Sequence, residues 1–107
     1  MTWVKLDDHF PDHPKILGLS DAAFRSYVDG LCYCARYLTD GRIAAAPLRK
    51  LARPKVVAEL QSADLWAQNG DGVIVHDYLV YQEDSKTVLE RRRKDSERKR
   101  RGSGAET

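Results

Sequence analysis

The sequence predicts a small α+β domain that carries a separate cationic helix. Three observations lead there. One long stretch repeats its apolar residues at helical spacing, and a Gly-rich turn separates two runs of strand character. Nine of the eighteen basic side chains sit beyond residue 85. Residues 1–85 hold nine basic and twelve acidic side chains, a net charge of −3. Lys86 to Arg101 (KTVLERRRKDSERKRR) holds nine cations against three acids, net +6, and Glu106 brings the chain to +2. A cationic arm on a mildly acidic unit seeks a polyanion.

The chain has 107 residues, enough for one domain. Without the arm, about 80–85 residues remain to fold, and a unit of that size buries a modest core with little surplus stability. No apolar run approaches the ~18–20 residues that span a bilayer. The opening MTWVKLDDHF lacks the basic and apolar segments of a secretory signal, so a cytoplasmic location is expected. Cys32 and Cys34 stand two apart on a predicted helix. Their side chains then point about 200° apart and cannot pair with each other.

Residues 2–6 (TWVKL) alternate in character and suit a short strand. In DDHFPDHP, two prolines forbid a continuous helix. Pro14-Lys-Ile-Leu can begin one helical turn. Ser20 is a good N-cap, and Asp21 stands where the helix dipole favours an acid. Phe24, Tyr27, Val28, Leu31, Ala35 and Leu38 then predict a helix over 20–38. Gly30 inside it costs roughly 1 kcal/mol relative to Ala, which fits a close approach by another element. Thr39-Asp40-Gly41 ends the helix, and Arg42-Ile43-Ala44 reads as a very short strand. A short helix follows over 46–52, with Pro47 tolerated in its first turn. Pro54 opens the next helix, 54–64, with Val56, Val57, Leu60 and Ala63 facing inward. Residues 65–76 read as a hairpin whose tip is Asn69 to Gly72. The last helix is predicted over 85–101, capped by Ser85 and laced by Glu90–Lys94, Asp95–Lys99 and Glu97–Arg101. Beyond Leu89 it has no apolar face. Residues 102–107 (GSGAET) read as a disordered tail, which leaves 1–84 as the folded domain and 85–101 as the arm.

Helix, short strand, short helix, tight corner, helix, hairpin is the order of a winged helix-turn-helix. Helices 46–52 and 54–64 form the helix-turn-helix, and the hairpin is the wing. Such a scaffold buries the inner faces of the two short helices. It leaves the outer face of the second free for a DNA major groove.

Four segments carry a family resemblance: WVKLDDHFPDHPKI, LCYCARYLTDGRI, LW before a Gly-rich turn, and VIVHDYLVYQ. Together they resemble small actinobacterial and actinophage winged helix-turn-helix DNA-binding proteins. These are similar to the N-terminal domain of DnaD-like replication-initiation (replisome organiser) proteins. The resemblance spans residues 2–83 and rests mostly on fold-supporting positions. It implies a wing-bearing DNA-binding module in phage replication or transcriptional regulation. It brings no set of contact residues.

The contact residues come from the helix pattern. On helix 54–64 the outward positions are Pro54, Lys55, Ala58, Gln61 and Ser62, with Glu59 at the flank. Ala58 and Ser62 are small enough for groove approach, and Gln61 can pair with an adenine edge. Arg49, Lys50, Arg53 and Lys55 are placed to hold phosphates. In the arm, Arg91, Arg92, Arg93, Lys94, Arg98, Lys99, Arg100 and Arg101 add salt-sensitive affinity for double-stranded DNA. The wing tip carries Asp71 and no cation, so strong backbone contacts are not expected there.

Other groups are weighed against plainer roles. Asp7, Asp8, His9, Asp12, His13, Cys32, Cys34 and His76 have no standard metal-ligand spacing, so no metal and no cofactor are expected. Asp12 and His13 read as turn and cap residues between Pro11 and Pro14. His76-Asp77 reads as a structural pair, since no nucleophile or paired acid and base accompanies it, and no enzymatic role is expected. Trp3, Trp66, Tyr78 and Tyr81 read as core or core-edge packing, with stacking on unpaired bases the other use of the two tyrosines. A membrane surface is a poor match for the arm, which lacks an apolar face. The sparse charge on helix 54–64 leaves a second function class open. This is a winged-helix module that binds a replisome or host protein, or a homodimer across helix 20–38.

Overall fold

A computed structural model describes the backbone of residues 3–106 and the side chains of residues 3–100. The chain is α+β. A 3-10 turn at Phe10–Asp12 leads into α1 (Pro14–Leu17), α2 (Asp21–Tyr37), β1 (Arg42–Ile43), α3 (Ala45–Leu51) and α4 (Pro54–Ser62). β2 (Trp66–Asn69), β3 (Gly72–Val75), α5 (Tyr78–Tyr81) and α6 (Ser85–Glu106) complete it. The three strands form one antiparallel sheet in the order β1-β3-β2.

α2 is the element around which the rest is built. Ser20 caps it, its side chain accepting from the Ala23 N–H at 3.2 Å. Ala23, Ser26, Tyr27, Gly30, Leu31, Cys34 and Ala35 recur at helical spacing and are all buried. The sheet closes on this stripe at Gly30. A Cβ there would lie 3.0 Å from the Trp66 ring and 3.2 Å from Ile43 Cδ1, so the missing side chain is what lets the sheet seat against the helix. Trp66, Ile43, Leu60, Val73 and Cys34 fill the centre. Inside the sheet Gly72 is under a tighter limit, since a Cβ would fall 2.0 Å from the Ile43 carbonyl oxygen.

Five expectations are corrected. Residues 3–6 form no strand, and Thr2 lies outside the described residues. The backbone N–H and C=O of Lys5 pair with the Gln82 carboxamide at 2.9 and 2.7 Å, and that side chain replaces the strand partner. α4 stops at Ser62 rather than 64, because Asp64 turns left-handed (φ 58°) and Leu65 N–H closes back on Leu60 O. α6 is capped by Asp84, whose carboxylate accepts from Thr87 N–H at 2.8 Å. Ser85 instead donates its N–H and hydroxyl to Asp40 at 2.7 and 2.9 Å. α6 also runs to Glu106, past Gly102, because elongation needs only one more hydrogen bond per residue. Trp3 and Tyr81 are 74 % and 67 % exposed, not packed in the core, because the N-terminal segment and α5 lie at the edge of the body. Trp66 and Tyr78 are buried as expected. α5 itself was not anticipated. Its four residues follow Asp77, which is left-handed at φ 56°.

Candidate nucleic-acid interface

Two polar ties fix α3 and α4 against α2. The buried Ser26 hydroxyl donates to Leu51 O at 3.0 Å and satisfies a carbonyl at the end of α3. Glu59, at the flank of α4, accepts from Ser20 N–H at 2.7 Å and from the Ser20 hydroxyl at 2.8 Å. These bonds hold the Glu59 carboxyl below the ordinary glutamate range, the backbone N–H contributing most. Leu60 and the half-buried Val56, Val57 and Ala63 supply the apolar contact beneath.

With the inner faces committed, the outer ones are free. Arg49, Lys50, Arg53, Pro54, Lys55, Ala58 and Ser62 are exposed, and Gln61 is half-buried. Among the described residues no ion pair uses Arg49, Lys50 or Arg53. Arg53 stands at the N-cap of α4 with no side-chain cap hydrogen bond, and Pro54 has no N–H, so the amides left open at this end are those of Lys55 and Val56. From residue 41 to residue 58 the chain has five cations and no acid. The net negative charge of the body is therefore concentrated elsewhere. The fifth cation, Arg42 on β1, is exposed and was not singled out from the sequence, although the acid-free run around it was visible there.

The arm is exposed along its length. Arg91, Arg92, Arg93, Lys94, Arg98, Lys99 and Arg100 all face solvent, and the Arg101 side chain lies outside the described residues. The acids are paired differently from the i,i+4 expectation. Glu97 bonds back to Arg93 at 2.9 Å, Asp95 pairs with Arg98, and Arg91 reaches Glu83 at 2.7 Å. A side chain on a helix can meet a neighbour three or four residues away in either direction. Asp95 takes Arg98 rather than Lys99, and the expected Glu97–Arg101 pair lies outside the described residues. Arg91 therefore belongs partly to the body, while Lys94, Lys99 and Arg100 enter none of these ion pairs.

The structure does not join the two cationic regions at their roots. α4 is clamped at Ser20, the first cap of α2. α6 is rooted near the other end of α2, where Ser85 binds Asp40 and the buried Val88 lines a small cavity together with Ala35 and Leu38. Seventeen helical residues separate those ends, or about 26 Å. The tip of the β2–β3 hairpin is exposed from Ala67 to Asp71, and Asp71 is its only charge.

The groups weighed for other chemistry are scattered. Among the described residues one trio, Asp7, Asp8 and His9, brings potential ligand atoms within 4.8 Å, and all three residues are exposed. His13 caps α1 by accepting from Lys15 N–H at 3.1 Å, and His76 lies 3.2 Å from Asp77. Cys32 and Cys34 are free, and burial pushes the Cys34 thiol up, away from the thiolate form. Among the described residues no helix is long and apolar enough to cross a membrane. Compared with protein-family models, curated proteins and solved structures, the chain matches none.

Proposed function

We propose that this chain is a winged-helix DNA-binding protein without enzymatic activity, acting in replication initiation or transcriptional control of the phage type. The observation that carries the proposal is the free outer face of α4. Its flank is locked to α2 by Glu59, while Arg49, Lys50, Arg53 and Lys55 stand exposed around its uncapped start. Small Ala58 and Ser62 lie on that face, with Gln61 beside them. Cations at an open helix start suit phosphate oxygens, and small side chains allow approach to base edges. The arm adds affinity that does not depend on sequence. α2, which carries the Glu59 clamp of α4 at one end and the root of the arm near the other, is about 26 Å long, less than the ~34 Å of one duplex turn.

The test is duplex binding followed by fluorescence anisotropy at several salt concentrations. Truncation after Arg91 keeps Val88 and the Arg91–Glu83 pair, and removes seven cations and three acids. It is expected to weaken binding to every duplex alike and to flatten the salt dependence, by about 0.9 in log–log slope for each phosphate the shortened chain no longer neutralises. Neutralising Arg49, Lys50, Arg53 and Lys55 to Gln should weaken binding further. Absence of duplex binding by the full chain at low salt would sink the proposal.

A second reading is a protein–protein module that binds a replisome or host protein. It is favoured by one observation. Trp3, Leu79, Val80 and Tyr81 are each more than half exposed on neighbouring segments, where a partner would find apolar surface.

A further inference from the structure

A groove that shares no residue with α3 or α4 lies between the N-terminal segment and the body, with a cavity volume of about 610 Å³. Small-molecule sites run from roughly 300 to 1,000 Å³. Its floor is apolar, made by Ile16, Leu31, Leu65 and Val75. All three histidines of the chain line it: His9 and His13 from the N-terminal segment, and His76 from the end of β3, more than sixty residues on. The wall is fixed by the reciprocal amide pair between Lys5 and Gln82, at 2.9 and 2.7 Å.

We infer that this groove binds a small aromatic anion, with its ring system on the apolar floor and its anionic group at Lys5 and Lys15. The charge argument is one of availability. Two carboxylates also line the groove, and each has a hydrogen-bond donor or an imidazole beside it. Asp7 accepts from the His9 N–H at 2.7 Å, and Asp77 lies 3.2 Å from His76 Nε2. Among the described residues neither Lys5 nor Lys15 takes part in an ion pair. Two uncommitted ammonium groups remain, with imidazoles beside them able to donate or accept hydrogen bonds. Aromatic surface supplies the rest. The Phe10 and Tyr27 rings stack at 5.8 Å, and Tyr81 is exposed at the rim. Nucleoside monophosphates and aromatic carboxylates share this chemistry.

The test uses the full chain and 8-anilinonaphthalene-1-sulfonate, an aromatic anion whose fluorescence reports binding. Saturable binding at one site is expected. The double substitution K5Q/K15Q should weaken it about ten-fold, since each lysine offers a charge-assisted hydrogen bond. K86Q, outside the groove, should leave it unchanged. Y81A, at an exposed position, should also weaken it and serves if the lysine variant does not fold. Equal affinity in the native and K5Q/K15Q chains, equally tight binding of neutral N-phenyl-1-naphthylamine, or no saturation would overturn the inference. Displacement of the probe by adenosine monophosphate but not phenylacetate assigns a nucleotide, and the reverse assigns a carboxylate. Displacement by neither at millimolar concentration overturns it.

Discussion

Single residues set the tolerances of this fold, and the glycines show it most directly. At Gly72 an added Cβ would strike the Ile43 carbonyl oxygen, which belongs to the sheet backbone and has little room to move. At Gly18 nothing lies within 4 Å, and its φ of −84° is ordinary for any residue. Opposite outcomes follow. Gly18→Ala should stabilise the chain by about 0.4–1 kcal/mol through a less flexible unfolded state. Gly72→Ala should destabilise it or prevent folding, and urea denaturation of the two variants compares them. Glu59 sets a different tolerance. Its folded pKa is lowered by the Ser20 bonds, so it stabilises the folded chain above the ordinary glutamate pKa. That contribution is lost as pH falls through the lowered folded value. Asp84 behaves in the same direction through its Thr87 bonds. Between about pH 6 and pH 3, the urea midpoint of Glu59→Gln should therefore fall less steeply than that of the native chain.

At the scale of elements, the question is what holds α4 with its outer face free. Leu60 is fully buried, and Glu59 reaches the start of α2. Leu60→Ala should cost about 2–5 kcal/mol, the usual range for a fully buried leucine, and thermal unfolding measures it. Ala58→Leu on the outer face should leave stability within about 0.5 kcal/mol. If α4 enters a groove, the same substitution should weaken duplex binding by blocking close approach. These two readouts separate scaffold from contact surface. α6 divides in a similar way along its length. Its first two turns belong to the body through Ser85, Val88 and Arg91, and the rest belongs to solvent.

The whole molecule is elongated because of that arm. Its radius of gyration is 16.9 Å, against about 13 Å for a compact chain of this length. The principal extents are 58 × 31 × 20 Å. Truncation after Arg91 should bring the radius of gyration in small-angle scattering close to the compact value. It should leave the melting temperature within a few degrees, since the removed residues bury nothing among those described. Val88→Ala in the full chain should instead lower stability by about 1–3 kcal/mol, as the loss of fully buried methyl groups does. If truncation destabilised the body as much as the core substitution, the arm would be part of the fold.

The sequence by itself determined the α+β class, α2 with its Ser20 cap and buried stripe, the α3–α4 corner, the β2–β3 hairpin and the cationic helix. Each is written in local signals, whether spacing of apolar residues, a proline at a helix start, glycines at a turn or a run of one charge. The exposure of Lys55 was legible for the same reason, because the inward stripe of α4 fixes its outward face, and that of Arg49, Lys50 and Arg53 because unpaired charged side chains are seldom buried. Only the tertiary structure decided that Glu59 clamps Ser20, that Asp84 rather than Ser85 caps α6, and that residues 3–6 pair with a side chain instead of a strand. It alone brought His76 to the groove lined by His9 and His13, exposed Trp3 and Tyr81, and rooted the arm at the opposite end of α2 from α4. Those arrangements depend on contacts between residues tens of positions apart, which no local pattern specifies.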